Sequence, residues 1–497
     1  MTTATPTDRL AAARETLAAA GQEHVLTFFD QLDDAGKTQL LDQIEGVDWP
    51  EVAALVESHV KAKPTFALPD DIEPAPWYPH TPTEDQRAHY IEAQRTGEKL
   101  VQDGKVACFT VAGGQGTRLG WDGPKGTFPA TPIRKLPLFA CFAEYIHNIQ
   151  NRFGIKVPWY IMTSPINDAA TRAFFKDNSY FGLKEENIMI FPQAMMPALD
   201  MQTGKVLLAA KDAIALSPNG HGGSLKALFT SGAIADMHKR GVTQISYTQV
   251  DNPIVRMIDT LFLGLHELDG AAMSSKMLPK AYAKEKLGNF CKVNGKVTVI
   301  EYSNLPDELA EQTIEDGPRK GELRFRAGSI ALHAIKVDFV EKLNTRPSES
   351  GIAGASFALP WNRAEKKVAH IDLATGEPIQ PTEPNAVKLE TFVFDALPMS
   401  DVSIVYETDR IDEFAPIKNA DAAEGEPENA DSPASSKRIQ TERAARWLEK
   451  NRVRVPRKDD GVVDAVIELP QVTAIFPDDL EDEKLPGKIE PGSEVVI

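Results

Sequence analysis

The 497-residue sequence has few cysteines, no long apolar run and a deficit of basic residues. Its three cysteines, Cys108, Cys141 and Cys291, are too few for a disulfide framework and are not spaced as zinc ligands, so we expect small buried apolar residues. No apolar run reaches the roughly eighteen residues of a membrane helix, and the N-terminus lacks the apolar segment of a signal peptide. These absences predict a soluble, cytoplasmic protein without a membrane partner.

The charge balance excludes one class of partner. The chain carries 54 Lys and Arg against 72 Asp and Glu, a net charge of −18. Because nucleic acid backbones are bound by clustered Lys and Arg, we expect no nucleic acid partner. The net charge does not exclude a small anionic ligand, because one local basic loop can bind it. The hydrophobic share of 42% is ordinary for a globular protein and argues against wholesale disorder.

The order of the predicted elements indicates an α/β fold. Residues 1–65 have helical periodicity, and the proline-rich stretch 64–83 predicts an extended strap. From about residue 105, short apolar runs alternate with helical segments, which predicts a mostly parallel sheet with helices on both faces. The strands are expected at 106–112, 158–164, 187–191 and 243–250, and the helices at 138–150 and 224–241. Ligands of such sheets bind at the carboxyl ends of the strands.

The second half of the chain is predicted to contain a hairpin, further strands, an acidic loop and a last helix. The stretch 291–303 predicts a hairpin around Asn294-Gly295, and 392–397 and 401–408 are expected as further strands of the α/β part. The acidic segment 421–433 predicts a mobile surface loop, and 435–451 predicts a last helix before a small β-containing tail. The expected domains are therefore a helical N-terminal arm and strap (1–100), a catalytic domain (101–410) and a small C-terminal domain (411–497).

The most informative segment is the glycine-rich loop at 112–126, AGGQGTRLGWDGPKG, which follows the first predicted strand. Glycines allow backbone amides to approach a phosphate chain closely, and Arg118 and Lys125 add two cations beside them. The loop is not a Walker A motif, because Gly126 follows Lys125. It is not a dinucleotide fingerprint either, because Leu119 stands in place of the last glycine.

The pattern GGQGTRLGxxxPKG resembles the signature of the uridylyltransferases that make UDP-sugars, and it is most similar to the eukaryotic-type UDP-N-acetylhexosamine pyrophosphorylases. The resemblance continues from about residue 100 to 420, in segments such as FPQAMMPAL (191–199), PNGHGG (218–223), VDNP (250–253), VIEYS (299–303) and DEFAPIKNAD (412–421). It implies a Rossmann-like, mostly parallel central sheet of the glycosyltransferase-A-like nucleotidyltransferase type.

The resemblance also implies an activity. A sugar 1-phosphate, that of N-acetylglucosamine or glucose, would attack the α-phosphate of UTP in line with help from Mg²⁺ or Mn²⁺, and pyrophosphate would leave. We expect a monomer or weak homo-oligomer. The alternative is a catalytically silent nucleotide-sugar sensor or scaffold on the same fold. A decayed member would be expected to have lost Arg118, Lys125 or Asp251, and all three are present.

The resemblance assigns roles to individual residues. Catalytic roles fall to Arg118, Lys125 and Lys418. Nucleotide-binding roles fall to Gly113, Gly114, Gly116, Gln193, Gly220 and Asp251, of which Asp251 is also the metal ligand. Sugar-binding roles fall to His221, Gly288, Glu301, Ser329, Phe392 and Phe394. Ordinary structural roles remain open: Gln193 as a loop cap, Asp251 as a turn cap, His221 as loop packing and the two phenylalanines as strand packing.

Two positions depart from the N-acetylhexosamine branch. His221 stands where that branch has an asparagine, and Ser329, in AGSI, stands where an asparagine usually contacts the sugar. Both changes fall in the expected sugar pocket. The sequence therefore predicts the nucleotide half of the site and leaves the preferred sugar open.

Overall fold

The computed structural model describes residues 6–64, 66–347 and 356–497 of the chain. The α-helices, in chain order, are α1 (Pro6–Ala19), α2 (Asp34–Glu45), α3 (Trp49–Leu55), α4 (Arg87–Gln102), α5 (Leu138–Phe153), α6 (Asp168–Asp177), α7 (Gly223–Thr230), α8 (Ala233–Arg240), α9 (Thr260–Leu268), α10 (Asp307–Ala310), α11 (Val337–Thr345), α12 (Arg410–Glu413) and α13 (Pro433–Lys450). Three short 3₁₀ helices bear on the site: Thr117–Leu119, Lys125–Thr127 and Val393–Met399.

The strands are mostly short. In chain order they are β1 (Glu73–Pro74), β2 (Val106–Val111), β3 (Trp159–Thr163), β4 (Ile188–Pro192), β5 (Met195–Pro197), β6 (Leu199–Asp200), β7 (Leu208–Ala210), β8 (Ala213–Ile214), β9 (Leu216–Pro218), β10 (Gln244–Gln249), β11 (Met273–Pro279), β12 (Gly288–Val293), β13 (Lys296–Ile300), β14 (Ala327–Lys336), β15 (Asn362–Lys366), β16 (His370–Ile371), β17 (Pro378–Ile379), β18 (Ala386–Glu390), β19 (Val405–Glu407), β20 (Val466–Glu468) and β21 (Glu494–Val496).

The chain forms two compact units, and each is discontinuous in sequence. The smaller unit comprises the described residues of Met1–Ala67, Gln193–Ser231 and Val340–Ala396, and the larger one those of Leu68–Pro192, Gly232–Phe339 and Leu397–Ile497. These units do not follow the three consecutive domains expected at 1–100, 101–410 and 411–497, which remain a prediction. Sequence patterns mark local elements well, but they carry no signal for which distant segments pack together.

The larger unit is built on a ten-stranded mixed sheet. Its main order is β1-β12-β14-β10-β2-β3-β4, with β11 beside β14 and β19, and β13 beside β12. The strands β10, β2, β3 and β4 run parallel, as predicted, whereas β14 is antiparallel to β10, β11 and β12. The prediction of a mostly parallel sheet is therefore wrong for the β11–β14 half. Between β11 and β14 the chain contains no α-helix except the single turn of α10, and parallel neighbours need a longer crossover.

The two central strands of the parallel half, β2 and β3, are buried. All five residues of β3 and the first five of β2 are buried, which explains their continuous apolar sequences. Helix α5 packs its apolar face into the same core, where Phe139 and Phe142 lie edge-on to Trp159. The three cysteines are buried and unpaired, as expected, and burial raises the pKa of the Cys291 thiol to about 12.

The smaller unit combines the N-terminal helices with short strands. Leu40, Leu41 and Ile44 form a buried apolar stripe on α2, which agrees with the helical periodicity expected over residues 1–65. These residues pack in one cluster with side chains from β6, β8 and β18. The sheets of this unit are β15-β18-β6 and three two-stranded pairs.

Two predicted elements are wrong in detail. The helix expected over 224–241 is two helices, α7 and α8, because Gly232 adopts a left-handed backbone (φ +83°) between them. The strand expected at 392–397 is instead part of the 3₁₀ helix Val393–Met399. A short apolar run such as FVFDAL does not distinguish a strand from a helical segment by its periodicity.

Other predictions of local structure are confirmed. The hairpin forms between β12 and β13, with Asn294 and Gly295 both at positive φ in its turn. Helix α13 covers the predicted last helix and begins with a Ser432–Ser435 capping box. Residues 421–431 are irregular and largely exposed, and their mobility stays a prediction. Every helix of the described residues is too short or too polar to cross a bilayer.

Candidate active site

Two loops leave the central sheet side by side, at the carboxyl ends of two of its parallel strands. The glycine-rich loop follows β2, and Asp251 lies two residues beyond the end of β10. These strands are parallel neighbours whose ends are in register, with Val111 opposite Gln249. The carboxyl ends of adjacent parallel strands thus bring the loop and the carboxylate to one place, where ligands of α/β sheets bind.

The glycine-rich loop folds back on itself as a short antiparallel turn. The amide of Gly116 donates to the carbonyl of Gly123 at 2.9 Å, and that of Lys125 donates to the carbonyl of Gly114 at 3.1 Å. A Cβ on Gly116 would lie 2.7 Å from the Cβ of Trp121, so packing requires glycine there. A Cβ on Gly114 would meet nothing within 4 Å. Gly116 therefore shapes the loop, and Gly114 leaves its backbone open to a ligand.

The loop presents two cations of different character. Lys125 begins a 3₁₀ helix, and its Nζ lies 3.7 Å from Oδ2 of Asp251, with both side chains at most 16% exposed. This separation is too long for a hydrogen bond, so the two form a loose ion pair. Arg118 is exposed, and no acidic side chain of the described residues pairs with it. Both charges are therefore available to an incoming anion.

The turn that carries Asp251 is fastened to the segment that carries Lys418. Ile417 donates its amide to the carbonyl of Asp251 at 2.8 Å. The neighbouring Asn252 is buried, donates to the carbonyl of Glu413 at 2.7 Å and accepts from the amide of Ala415 at 3.1 Å. The backbones of the predicted metal ligand and of Lys418 are thereby brought together.

The amino group of Lys418 itself faces an acid. Its Nζ lies 3.6 Å from Oδ2 of Asp431 and 5.4 Å from the centre of the Phe414 ring. Lys418 is about one-third exposed, so this ion pair is weak and can be exchanged for another partner.

A buried charge cluster supports the same region, and sequence reasoning missed it. Lys276 is 1% exposed, and its Nζ donates to Asp259 at 2.7 Å and to Glu413 at 2.5 Å. Burial alone would raise the pKa of Asp259, but Lys276 and Arg256 beside it lower that pKa overall. Since the three charges lie far apart in sequence, no spacing rule could have found them.

Three predicted sugar-site residues come together in the larger unit. Gly288 on β12 is the register partner of Ser329 on β14. A Cβ on Gly288 would lie 3.7 Å from Oε1 of Glu301 and 3.8 Å from the Cβ of Ser329. Burial raises the pKa of the Glu301 carboxyl. This cluster joins a carboxyl and a hydroxyl, two groups that can bond sugar hydroxyls.

The smaller unit carries the remaining predicted residues. The amide of Gly222 donates to the carbonyl of Thr391 at 2.8 Å, and a Cβ on Gly220 (φ +84°) would lie 2.4 Å from that same carbonyl oxygen. His221 stacks on Phe392 with ring centres 5.4 Å apart and lies 5.6 Å from Phe394. The loop at 219–222 and the segment at 391–394 therefore form one locally packed structure.

The protonation of His221 follows from its surroundings. Burial lowers its pKa to about 4, so the ring is neutral at physiological pH. Its Nδ1 accepts a hydrogen bond from the amide of Val393 at 3.1 Å, which leaves the proton on Nε2. His221 can therefore donate one hydrogen bond from Nε2 to a ligand.

The predicted site residues thus divide between the two units. The larger unit contains Gly113, Gly114, Gly116, Arg118, Lys125, Asp251, Gly288, Glu301, Ser329 and Lys418, and the smaller one contains Gln193, Gly220, His221, Phe392 and Phe394. Gln193 is 7% exposed and lies at the start of its segment of the smaller unit. One further side chain at the glycine-rich loop, Asn167, was not predicted. Its only sequence signal is an asparagine shortly after a predicted strand.

Known proteins resemble this chain over most of its length. The family model of UTP–glucose-1-phosphate uridylyltransferase matches residues 70–423. UDP-N-acetylhexosamine pyrophosphorylase-like protein 1 of Xenopus tropicalis is 33% identical over 86% of this chain and 82% of its own length. UDP-N-acetylglucosamine pyrophosphorylase of Saccharomyces cerevisiae is 32% identical over 86% of this chain and 89% of its own.

The fold is also that of a solved structure. The uridine diphosphate N-acetylglucosamine pyrophosphorylase of Trypanosoma brucei superposes with a TM-score of 0.80, at 24% identity and over 98% of each chain. At that level of identity the likeness concerns the fold alone.

Proposed function

The chain belongs to the UTP–glucose-1-phosphate uridylyltransferase family, and from this premise we propose that it joins UTP to a sugar 1-phosphate with release of pyrophosphate. It is an enzyme of the UDP-sugar pyrophosphorylase type, similar to the N-acetylhexosamine members. The observation that carries the proposal is the open glycine-rich loop with Lys125 and Asp251 at the same sheet edge. A catalytically silent sensor or scaffold would be expected to have lost Arg118, Lys125 or Asp251, and all three are present.

The reaction is a displacement at phosphorus between two anions. An oxygen of the sugar phosphate forms a bond to the α-phosphorus of UTP, and the bond from that phosphorus to the bridging oxygen breaks as pyrophosphate leaves. Since no covalent enzyme intermediate is needed, the protein contributes alignment and charge. Lys125, Arg118 and Lys418 would neutralise the phosphates while the open backbone of Gly113 and Gly114 approaches them. Gln193 and Gly220 would bind the uracil edge.

Asp251 fits a divalent cation that is shared with the substrate. Within the described residues it belongs to no cluster of three or more His, Cys, Asp or Glu ligands, so the protein alone does not form a complete site. Mg²⁺ commonly binds to one or two carboxylates together with substrate phosphates, and the single carboxylate matches that pattern. Bound Mg²⁺ or Mn²⁺ would supply charge neutralisation at the phosphate oxygens.

The proposed sugar is N-acetylglucosamine 1-phosphate, with glucose 1-phosphate as a second substrate. The relatives named above support the N-acetylated sugar. Ser329 and His221 support a broader sugar preference, because serine is shorter than the asparagine of that branch and the imidazole offers a single donor. In the larger unit, the carboxyl of Glu301 would accept hydrogen bonds from sugar hydroxyls. In the smaller unit, Phe392 and Phe394 would offer apolar contacts.

The test is pyrophosphate release from UTP and Mg²⁺ with a panel of sugar 1-phosphates. We expect release with N-acetylglucosamine 1-phosphate and, at a lower specificity constant, with glucose 1-phosphate. Reactions without sugar phosphate control for plain UTP hydrolysis. Tight binding of UDP-sugars by calorimetry with no release from any sugar phosphate would instead support the sensor. Release with glucose 1-phosphate alone would overturn the proposed sugar.

A further inference from the structure

One buried side chain holds the carbonyl groups of the glycine-rich loop. Asn167 lies after β3, directly before α6, and is fully inaccessible. Its Nδ2 donates to the carbonyl of Ala112 at 3.0 Å and to that of Gly114 at 3.2 Å. Its Oδ1 accepts from the amide of Ser164 at 2.8 Å and from the hydroxyl of the same residue at 3.1 Å. Both donors and both acceptor sites of the amide are therefore used.

The bonds from Asn167 determine which way the loop's amides point. In a trans peptide the carbonyl and the following N–H point in opposite directions. Because the carbonyls of Ala112 and Gly114 point toward Asn167, the N–H groups of Gly113 and Gln115 point away from it. Within the described part of the chain, neither N–H donates to a backbone or side-chain acceptor. Two amide donors are thus oriented together on the open face of the loop.

The same side chain is connected to the cation of the loop. The carbonyl of Gly114 accepts from Asn167 and also from the backbone amide of Lys125, at 3.1 Å. A shift of that carbonyl would therefore change the position of Lys125 together with the amide of Gln115.

The hydrogen bonds of Asn167 are not those of an ordinary helix cap. An asparagine in the N-cap position usually accepts a bond from an amide in the first turn of its own helix. Asn167 occupies the N-cap of α6, but its side chain makes no such bond. Its NH2 group bonds the glycine-rich loop and its oxygen bonds Ser164, so helix capping does not account for this side chain.

We propose that Asn167 is a positioning residue that orients the loop's amides, and through Gly114 also Lys125, toward the phosphates of UTP. The proposal rests on the proposed function and adds a residue to it. Asn167 does not touch substrate. It acts through the backbone of residues 112–115, and its effect should therefore fall on the nucleotide and not on the sugar phosphate.

The test compares substitutions at Asn167 with a matched control. Asn167→Ala removes all four bonds, and Asn167→Asp keeps the acceptors but places a carboxylate against two carbonyls. Asn167→Ser keeps one donor. The control is Asn148→Ala, because Asn148 is also buried and donates to two consecutive carbonyls, those of Gln471 and Val472, outside the loop. Each purified variant is checked for folding by circular dichroism and thermal melting.

We expect kcat/KM for UTP to fall about 10- to 100-fold in the Ala and Asp variants, as for other displaced contacts near reacting groups. The Ser variant should lie between them and the wild type. The KM for sugar 1-phosphate at saturating UTP should stay within about twofold, and calorimetry should show weaker UTP binding. Asn148→Ala should lower the melting temperature and leave the UTP kinetics within about twofold of the wild type.

Other results would overturn the proposal. One is a loss of stability in the Asn167 variants with unchanged UTP kinetics, as in the control. Another is an equal rise in KM for both substrates. If the Ala and Asp variants do not fold, Asn167→Ser takes their place in the test. UTP kinetics equal to those of the wild type in Asn167→Ser would then overturn the proposal. A wild-type protein that releases no pyrophosphate would refute the proposed function, and UTP calorimetry on the same variants would still test Asn167.

Discussion

Replacing Lys125 with methionine separates the folding role of this residue from its role in catalysis. Methionine has nearly the length of the lysine side chain but no charge, so the packing of the 3₁₀ helix Lys125–Thr127 is preserved. The substitution removes the cation that lies 3.7 Å from Asp251. We expect a stable protein with a large loss of turnover.

The magnitudes follow from the geometry of the pair. At 3.7 Å and an effective dielectric constant of about 20, the attraction between two unit charges is about 4.5 kcal/mol. Desolvation and side-chain entropy oppose that attraction, and no hydrogen bond joins the two groups. The net loss of unfolding free energy should therefore be below that figure, about 1–3 kcal/mol, because the largely buried Asp251 carboxylate loses a partner. Losing a charge that stabilises the transition state should lower kcat about 10²- to 10³-fold, equivalent to about 2.7–4 kcal/mol.

The assay pairs pyrophosphate release at saturating substrates with urea unfolding of the same preparations. Lys156→Met is the matched control, because Lys156 is exposed and precedes β3, at the end of the sheet opposite the glycine-rich loop. Its kcat and stability should both equal those of the wild type. A Lys125→Met enzyme with kcat within about threefold of the wild type would refute the charge role. A destabilisation above about 3 kcal/mol would show instead that the ion pair is structural.

Three other predictions concern the metal, the sugar and pH. Asp251→Asn should raise the Mg²⁺ concentration for half-maximal rate about tenfold or more, since an amide is a poorer ligand than a carboxylate; an unchanged metal titration would exclude Asp251 as a ligand. The pair His221→Asn and Ser329→Asn should shift the ratio of specificity constants toward the N-acetylated sugar, and an unmoved ratio would contradict the sugar assignment. Folded His221 has a pKa of about 4 against about 6.5 unfolded. The unfolded state therefore binds the extra proton first, and stability should fall as pH decreases from about 6.5 toward 4. In His221→Asn this part of the pH dependence should disappear, which urea unfolding at several pH values can check.

The sequence predicted the parallel half of the sheet better than the antiparallel half. Strands such as β2 and β3 are buried on both faces and so appear as continuous apolar runs between helices. The β12–β13 hairpin was also predictable, because Asn294-Gly295 fits a two-residue turn. The position of β14 between β10 and β12 was not, since it depends on pairing between strands tens of residues apart.

The candidate site shows a similar division. The sequence singled out Arg118, Lys125 and Asp251 because they lie in short local motifs next to strand ends, and the structure places Lys125 beside Asp251. Their roles in binding and catalysis stay a prediction. Asn167, Lys276 and Glu413 were missed because their importance lies in bonds to backbone groups or charges that are distant in sequence. Local patterns identify residues that would touch a ligand, whereas the residues that hold them depend on the completed fold.

The pairing of charges at the site explains how an acidic protein can bind two polyanions. Lys125 faces Asp251, and Lys418 faces Asp431, and neither pair is within hydrogen-bond distance. A cation bound to Asp251 would compensate that carboxylate and free Lys125 for a phosphate, so charge partners would be exchanged and not added. The ion pair with Asp251 also spares Lys125 the desolvation cost of a buried, unpaired cation before substrate arrives. Under the proposed function, nucleotide and metal binding would then be cooperative, because the metal would take Asp251 as its ligand and the nucleotide phosphate would take Lys125. The overall charge of −18 then matters little, since screening at physiological salt limits the effect of distant surface acids to about 8 Å.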